Sequence, residues 1–121
     1  MSGEREDPLI AYLMRQFTRA AIVAHYGYED EDDAMQCAGI DSAKRAIKGL
    51  DLLGSKGRLA LVPLLDDPDW GIRVFAAGYL VKIMPERALA VLKEIDERCP
   101  TRAHMTAFRI LWSHEHGDLN S

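Results

Sequence analysis

The chain has 121 residues, of which 48% are hydrophobic and 28% charged, and its formal net charge is −4. This length and composition are typical of one globular domain that buries a core of its own. The acidic balance argues against broad binding to phosphate backbones, although a local basic patch is compatible with it.

The sequence carries no sign of a membrane or secreted protein. The stretch MSGEREDP is acidic, and no later run reaches the roughly eighteen apolar residues that a membrane span requires. Cys37 and Cys99 lie far apart without a CxxC pair, so each is expected to be a small buried hydrophobic residue in a reducing compartment. We therefore expect a cytoplasmic protein with no membrane partner.

The first predicted helix begins at Asp7-Pro8, where aspartate caps the helix and proline presets its first turn. Apolar residues then recur at helical spacing as far as Ala24, and Gly27 is expected to stop the helix. His25 lies near this predicted end, where a cation suits the helix dipole. We expect it to be a capping or surface histidine.

A second predicted helix runs from about Asp32 to Leu53, after the charged connector YEDEDD. The acids of the connector favour the start of this helix because they complement its dipole. Gly39 is expected to break the helix, with a fresh capped start at Asp41, and the sequence GSKG forms a loop beyond Leu53. The range 8–53 is thus assigned to N-terminal helices.

An internal repeat with a spacing of about 30 residues follows the loop. Residues Ala60, Leu61, Val62, Leu65 and Asp66 correspond to Ala90, Val91, Leu92, Ile95 and Asp96. Periods of this size indicate helix–turn–helix units stacked as a solenoid. We expect one all-α domain over 1–121 with about five to six helices, comprising a first repeat at 58–84, a second at 85–114 and a tail at 115–121.

The segment LVPLLDDPDWGIRVFAAGYLVKI resembles a HEAT-type repeat. Such repeats have a Leu-rich first helix, an Asp-Pro turn, and a second helix that starts with an apolar-Arg pair and an Ala pair. The counterparts here are Ile72-Arg73 and Ala76-Ala77. Asp69 is expected to cap the second helix, and Arg73 to reach carbonyls of the turn or the carboxylates of Asp66 and Asp67. The resemblance implies a HEAT-like α-α superhelix.

More loosely, the chain resembles a bacterial family described as domain of unknown function twenty-nineteen. Its pattern LLDxPDxxVRxxAAxxLL corresponds to 65–80, its PExAxxVLxxI helix to 85–95, and its last helix to Leu111-Trp112 followed by Gly117. The resemblance implies no catalytic residues. Because some small HEAT-like bacterial proteins neutralise toxins, it also suggests an immunity-type inhibitor.

The helix that starts at Trp70 is apolar around most of its surface, as expected for a central helix packed on two sides. Between its two apolar stripes lies a narrow strip formed by Gly71, Phe75, Gly78 and Lys82. Each glycine weakens the helix by roughly 0.5–1 kcal/mol relative to alanine. We expect the strip to open on the concave surface, with Phe75 as the anchor for a partner.

The last predicted helix carries two stripes by 100° steps. One consists of Arg102, Thr106, Arg109 and Ser113, and the other of Met105, Phe108 and Trp112. Two arginines on a net-acidic protein are a weak footprint for nucleic acid, so carboxylates of a protein partner are the alternative ligand. The apolar stripe is expected to pack on the preceding helix, and any part left exposed could form a dimer.

No metal, cofactor or catalytic motif stands out. In the sequence SHEHGD, His114 and His116 point in different directions on a helix, so a metal site with Glu115 or Asp118 would need ligands from elsewhere. The acidic run EDEDD lacks the spacing and glycine of an EF-hand loop. We expect a solvated connector and a solvated tail, and no enzyme.

These patterns together predict a non-catalytic protein–protein interaction module, monomeric or homodimeric. The alternatives are an immunity or antitoxin-type inhibitor of a bacterial toxin and a nucleic-acid-binding HEAT-like protein. The candidate partner-binding residues are Gly71, Phe75, Gly78, Lys82, Arg102 and Arg109.

Overall fold

The protein is entirely helical over the residues that the computed structural model describes, which are 7–117. Six α-helices and one 3₁₀ helix follow one another there, and that range contains no strand. The predicted all-α class is thereby confirmed. None of the helices in this range is both long enough and apolar enough to cross a membrane.

The helices form two compact units, one ending at Leu61 and the other beginning at Val62. This boundary lies inside the range 58–84 that the sequence assigns to one repeat. The division of the chain into repeats and the HEAT-like superhelix stay predictions.

In the first unit, α1 (Pro8–Glu29) starts as the sequence predicts. The Leu9 amide donates a hydrogen bond of 2.9 Å to Oδ1 of Asp7, and this bond holds the pKa of the Asp7 carboxyl below its ordinary value. The predicted stop at Gly27 is wrong, because the helix continues to Glu29. Gly27 instead allows a close approach, since a Cβ there would lie 2.7 Å from Cα of Gln36.

Helix α2 (Asp33–Asp51) is continuous, so the predicted break at Gly39 and the fresh start at Asp41 are wrong. Asp32 caps the helix by accepting a hydrogen bond of 3.0 Å from the Met35 amide. Gly39 is buried against α1, where a Cβ would lie 2.7 Å from Cα of Ala24. The glycine is therefore a packing residue between two helices and does not end one.

Small buried side chains line the rest of this helix pair. They recur at helical spacing in both helices and include Ala20, Ala24, Ala43 and Ala46. His25 is also buried, with 8% of its surface exposed, so the expected capping or surface position is wrong. It lies four residues before the end of a helix that is longer than the sequence predicts.

The Leu-rich segment before the Asp-Pro turn is not one continuous helix. It consists of α3 (Ser55–Leu59), which closes the first unit, and a 3₁₀ helix (Val62–Asp66), which opens the second. Pro63 explains the interruption, because proline lacks the amide donor of a helix interior and disfavours helical geometry at the residue before it.

The second unit continues with α4 (Trp70–Leu80), α5 (Pro85–Arg98) and α6 (Ala103–Glu115). Asp69 caps α4 as predicted, because its Oδ1 accepts a hydrogen bond of 3.1 Å from the Ile72 amide. Helix α5 packs against α4 and α6, and α4 also contacts the 3₁₀ helix and α6. Fully buried residues of the four elements form the core; they are Leu65, Ala76, Ala77, Leu80, Ala88, Leu92, Ile95 and Ala107.

The two cysteines have different environments. Cys99, at the end of α5, is buried, and its sulfur lies 3.0 Å from Oγ1 of Thr101. Cys37 is exposed on α2, so the expectation that both are buried is confirmed for one and wrong for the other.

Candidate functional site

The strip that the sequence predicts on α4 is not a continuous open surface. Gly71 is buried, and Phe75 and Gly78 are only partly exposed. Gly78 faces α6, because a Cβ added to it would lie 3.1 Å from Cδ1 of Ile110. Lys82 is exposed but lies beyond the last residue of the helix, Leu80. The predicted geometry is thus wrong, since α6 covers part of the strip, while a role of these four residues in binding stays a prediction.

The large exposed apolar surface of the second unit lies on α6. Met105, Phe108 and Trp112 are exposed by 46%, 56% and 46%, respectively. Their spacing of three and four residues places them on one face of the helix. The expectation that this stripe packs on the preceding helix is wrong.

The opposite face of α6 is the one that packs. Ala103 and Ala107 are buried, and Ile110 contacts α4 at Gly78. Small alanines let α6 approach its neighbours closely, so the helix is held without its largest side chains. We call the surface formed by Met105, Phe108 and Trp112 the α6 face.

Charged residues border the α6 face unequally. Arg109 is exposed and is a helical neighbour of Met105 and Trp112, which lie four residues before it and three residues after it. Arg102 lies on the same side at the N-cap position of α6. Glu115 is exposed on the opposite side. The two arginines that the sequence singles out therefore lie along one edge of the α6 face.

His116 extends the α6 face at its C-terminal end. Its ring stacks on Trp112 with ring centroids 3.9 Å apart and an angle of 16° between the planes. Its Nδ1 lies 2.8 Å from the carbonyl oxygen of Trp112. Between residues 7 and 117 no group of three or more histidine, cysteine or acidic side chains is placed to hold a metal ion. Asp118 lies outside the described residues.

A second surface feature lies in the first unit, between α1 and α2. It is an open groove of about 140 Å³ lined by Gln16, Arg19, Ala20, Val23, Ala38, Gly39 and Ser42. Sites for small molecules are typically 300–1,000 Å³ and more enclosed. The groove is therefore too small and too open to favour a small-molecule site. Gly39, which lines this groove, was noticed in the sequence, but it was interpreted there as a helix break.

A partly buried arginine, Arg73, connects the 3₁₀ helix of the second unit to α4 and α5. Nε of Arg73 donates a hydrogen bond of 2.9 Å to the carbonyl oxygen of Leu65, and its guanidinium donates one of 2.8 Å to Glu94 on α5. The guanidinium also lies 5.3 Å from the ring centroid of Trp70. The predicted contact with a carbonyl is confirmed at Leu65, whereas the carboxylate partner is Glu94 and not Asp66 or Asp67. This network links three elements of the second unit, so we assign it a structural role.

The Arg73 network makes part of the stability acid-sensitive. The hydrogen bond and the charge of Arg73 hold the pKa of the Glu94 carboxyl below its ordinary value. Because the pKa of Glu94 is lower in the folded protein, its ionised carboxylate stabilises the folded state. This stabilisation is complete above the pKa of a glutamate in the unfolded chain, about 4.3, and disappears as the pH falls through the folded-state pKa.

We therefore expect the stability difference between the wild type and Glu94→Gln to be constant near neutral pH and to shrink as the pH falls below about 5. Urea denaturation at a series of pH values measures it. In an Arg73→Ala background the same substitution should show little pH dependence, because the guanidinium that lowers the pKa is gone. An equal pH dependence in both backgrounds would contradict this assignment.

Comparison with known proteins found no matching family model, no similar curated protein and no similar solved structure.

Proposed function

We propose that this chain is a non-catalytic protein–protein interaction module that contacts its partner through the α6 face. The observation that carries the proposal is the exposure of Met105, Phe108 and Trp112 by about half on a helix that packs through its opposite side. Contiguous exposed apolar patches on soluble proteins often mark interaction sites. Tryptophan, phenylalanine, methionine and arginine are the residue types enriched at such sites.

The proposal includes a cytoplasmic localisation and a HEAT-like arrangement of the helices. The HEAT-like arrangement is supported in the second unit by three features. They are the helix cap at Asp69, the hydrogen bond from Arg73 to the Leu65 carbonyl, and the buried pair Ala76-Ala77. Solenoids built from such units commonly present one helix face to a partner. Gly71, Phe75, Gly78 and Lys82 remain candidates for additional contacts at the neighbouring helix.

The test is quantitative capture from a lysate of the source cell, with three immobilised forms of the protein. Wild type and Leu52→Ala should capture the same partner, because Leu52, an apolar residue that is 87% exposed, lies in the first unit and not on the α6 face. The double variant Phe108→Ser/Trp112→Ser should capture at least about ten-fold less, as expected when two anchor residues are removed.

Folding has to be checked for the double variant. Because both side chains are about half exposed, their loss should change the free energy of unfolding by only about 1–2 kcal/mol in total. Equal capture by all three forms, or no partner captured by the wild type, would contradict the proposal.

A further inference from the structure

The two edges of the α6 face differ in charge. Arg109 lies beside Met105 and Trp112, is exposed, and forms no ion pair with any residue between 7 and 117. Arg102 contributes a second positive charge on the same side, whereas Glu115 lies on the other side. We propose that the α6 face binds an amphipathic helix of a partner protein that carries carboxylates along one edge. This inference rests on the proposed function.

A helix is the shape that fits the stripe. Met105 and Trp112 are seven residues apart, so the apolar surface extends about 10 Å along the axis of α6. The stripe lies along a convex helix and not in a cavity. A second helix matches it by placing its own apolar residues, spaced by three and four positions, between those of α6.

Carboxylates are the groups that fit the Arg109 edge. A guanidinium has a planar fork of donors that pairs with a carboxylate through two hydrogen bonds. At the rim of an apolar contact such pairs fix the orientation of the partner and disfavour a cationic competitor. The acidic edge of the partner should therefore run on the side of Arg109 and away from Glu115.

A second copy of this chain is the less suitable occupant. In an antiparallel two-fold pair of α6 helices, each edge of one helix faces the same edge of the other. The two Arg109 edges would therefore meet and repel each other. In a parallel pair the Arg109 edge would face the Glu115 edge, but these residues are six positions, or about 9 Å, apart along the axis. Neither arrangement forms a close ion pair across the contact.

The area of the α6 face limits the strength of any contact made through it, whether with a second copy or with a partner helix. Two half-exposed aromatic side chains and one methionine provide roughly 300 Å² of apolar surface, since a fully exposed aromatic residue contributes roughly 150–250 Å². A contact that covers this surface on both partners would bury roughly 600 Å² of apolar surface, slightly less than the apolar share of the smallest standard stable interfaces, roughly 700 Å². We expect a monomer in solution and a weak, reversible contact with the partner helix.

The test uses two synthetic peptides of about 18 residues, a length that supports an isolated helix. Both carry the same leucine stripe at helical spacing, and they differ only in having glutamates or lysines along one edge. Isothermal titration calorimetry measures each peptide against wild type, Arg109→Glu, and Phe108→Ser/Trp112→Ser, at about 0.05 M and about 0.5 M salt.

We expect wild type to bind the glutamate peptide about five-fold more tightly than the lysine peptide at low salt, and this preference should fall at high salt. Arg109→Glu should reverse the preference, and Phe108→Ser/Trp112→Ser should remove binding of both peptides. Equal affinity for the two peptides, or binding of neither by the wild type, overturns the inference. So does a wild-type dimer in sedimentation that Phe108→Ser/Trp112→Ser dissociates.

The experiments distinguish a failure of this inference from a failure of the proposed function. If lysate capture depends on Phe108 and Trp112 but is unchanged in Arg109→Glu, the α6 face binds a partner without an acidic edge, and only the inference is overturned. If capture depends on none of these residues, the proposed function itself is contradicted.

Discussion

Replacing Gly39 with alanine is expected to lower the free energy of unfolding by about 3 kcal/mol, the upper end of the cost of inserting a group into a packed core. The new Cβ would lie 2.7 Å from Cα of Ala24 and 2.8 Å from its Cβ. The nearest atoms include the backbone of α1, which cannot rotate away as a side chain can. The two helices would have to separate, and the small residues on either side of the crossing would lose contact.

Gly49 in the same helix provides a matched control for Gly39→Ala. The three atoms nearest to a Cβ there all belong to the Leu13 side chain, with Cδ2 at 2.9 Å, and that side chain can move. Because alanine also favours a helix by up to about 1 kcal/mol over glycine, Gly49→Ala should stay within about 1 kcal/mol of wild type. Urea denaturation followed by far-ultraviolet circular dichroism measures both variants. Equal stability of the two variants would contradict the close packing at Gly39.

The second large effect is expected for Arg73→Ala, at about 2 kcal/mol. The Arg73 side chain is only 13% exposed, and it supplies the hydrogen bonds to the Leu65 carbonyl and to Glu94. Its loss leaves the carbonyl of a fully buried residue without this donor and removes the contact over Trp70. Arg73→Lys should recover only part of the loss, because an ammonium group lacks the fork that serves both acceptors.

Arg87→Ala is the control for Arg73→Ala. Arg87 also pairs with a carboxylate, at 2.9 Å from Asp66, but the two side chains are 46% and 75% exposed. Exposed ion pairs contribute little, so this variant should lose no more than about 0.5 kcal/mol. Hydrogen exchange should also show faster opening of α4 and α5 in Arg73→Ala and not in Arg87→Ala. Equal losses in the two arginine variants would contradict the stabilising role of the Arg73 network.

The features of the fold that sequence patterns predicted correctly are local ones. Asp7, Asp32 and Asp69 each accept a hydrogen bond from an amide two or three residues later, so the start of a helix is encoded within one turn. The roles of two glycines were predicted wrongly, because glycine is typical both of helix ends and of close contacts between helices. Gly27 and Gly39 look like helix ends, but they allow two helices to approach, and only the neighbouring helix distinguishes the two roles.

The apolar stripe of the candidate site was recognisable in the sequence, but its residues were expected to be buried and were not among the predicted partner-binding residues. The spacing of Met105, Phe108 and Trp112 places them on one face, and this holds in the structure. Which face of the last helix packs depends on α4 and α5, because Ala103, Ala107 and Gly78 allow the opposite side to fit closely. An apolar stripe on a helix normally indicates the buried side, and here the small residues define that side.

The positions of Trp70 and Trp112 have a practical consequence. The chain has two tryptophans, and both lie in the second unit, one beneath Arg73 and the other on the α6 face. Intrinsic tryptophan fluorescence therefore arises from the second unit, because the first unit contains no tryptophan. Trp112 lies where a ligand would shield it from solvent, so its emission provides a label-free signal for binding. The variant Trp70→Phe, which keeps an aromatic ring at this position, would leave Trp112 as the single tryptophan emitter.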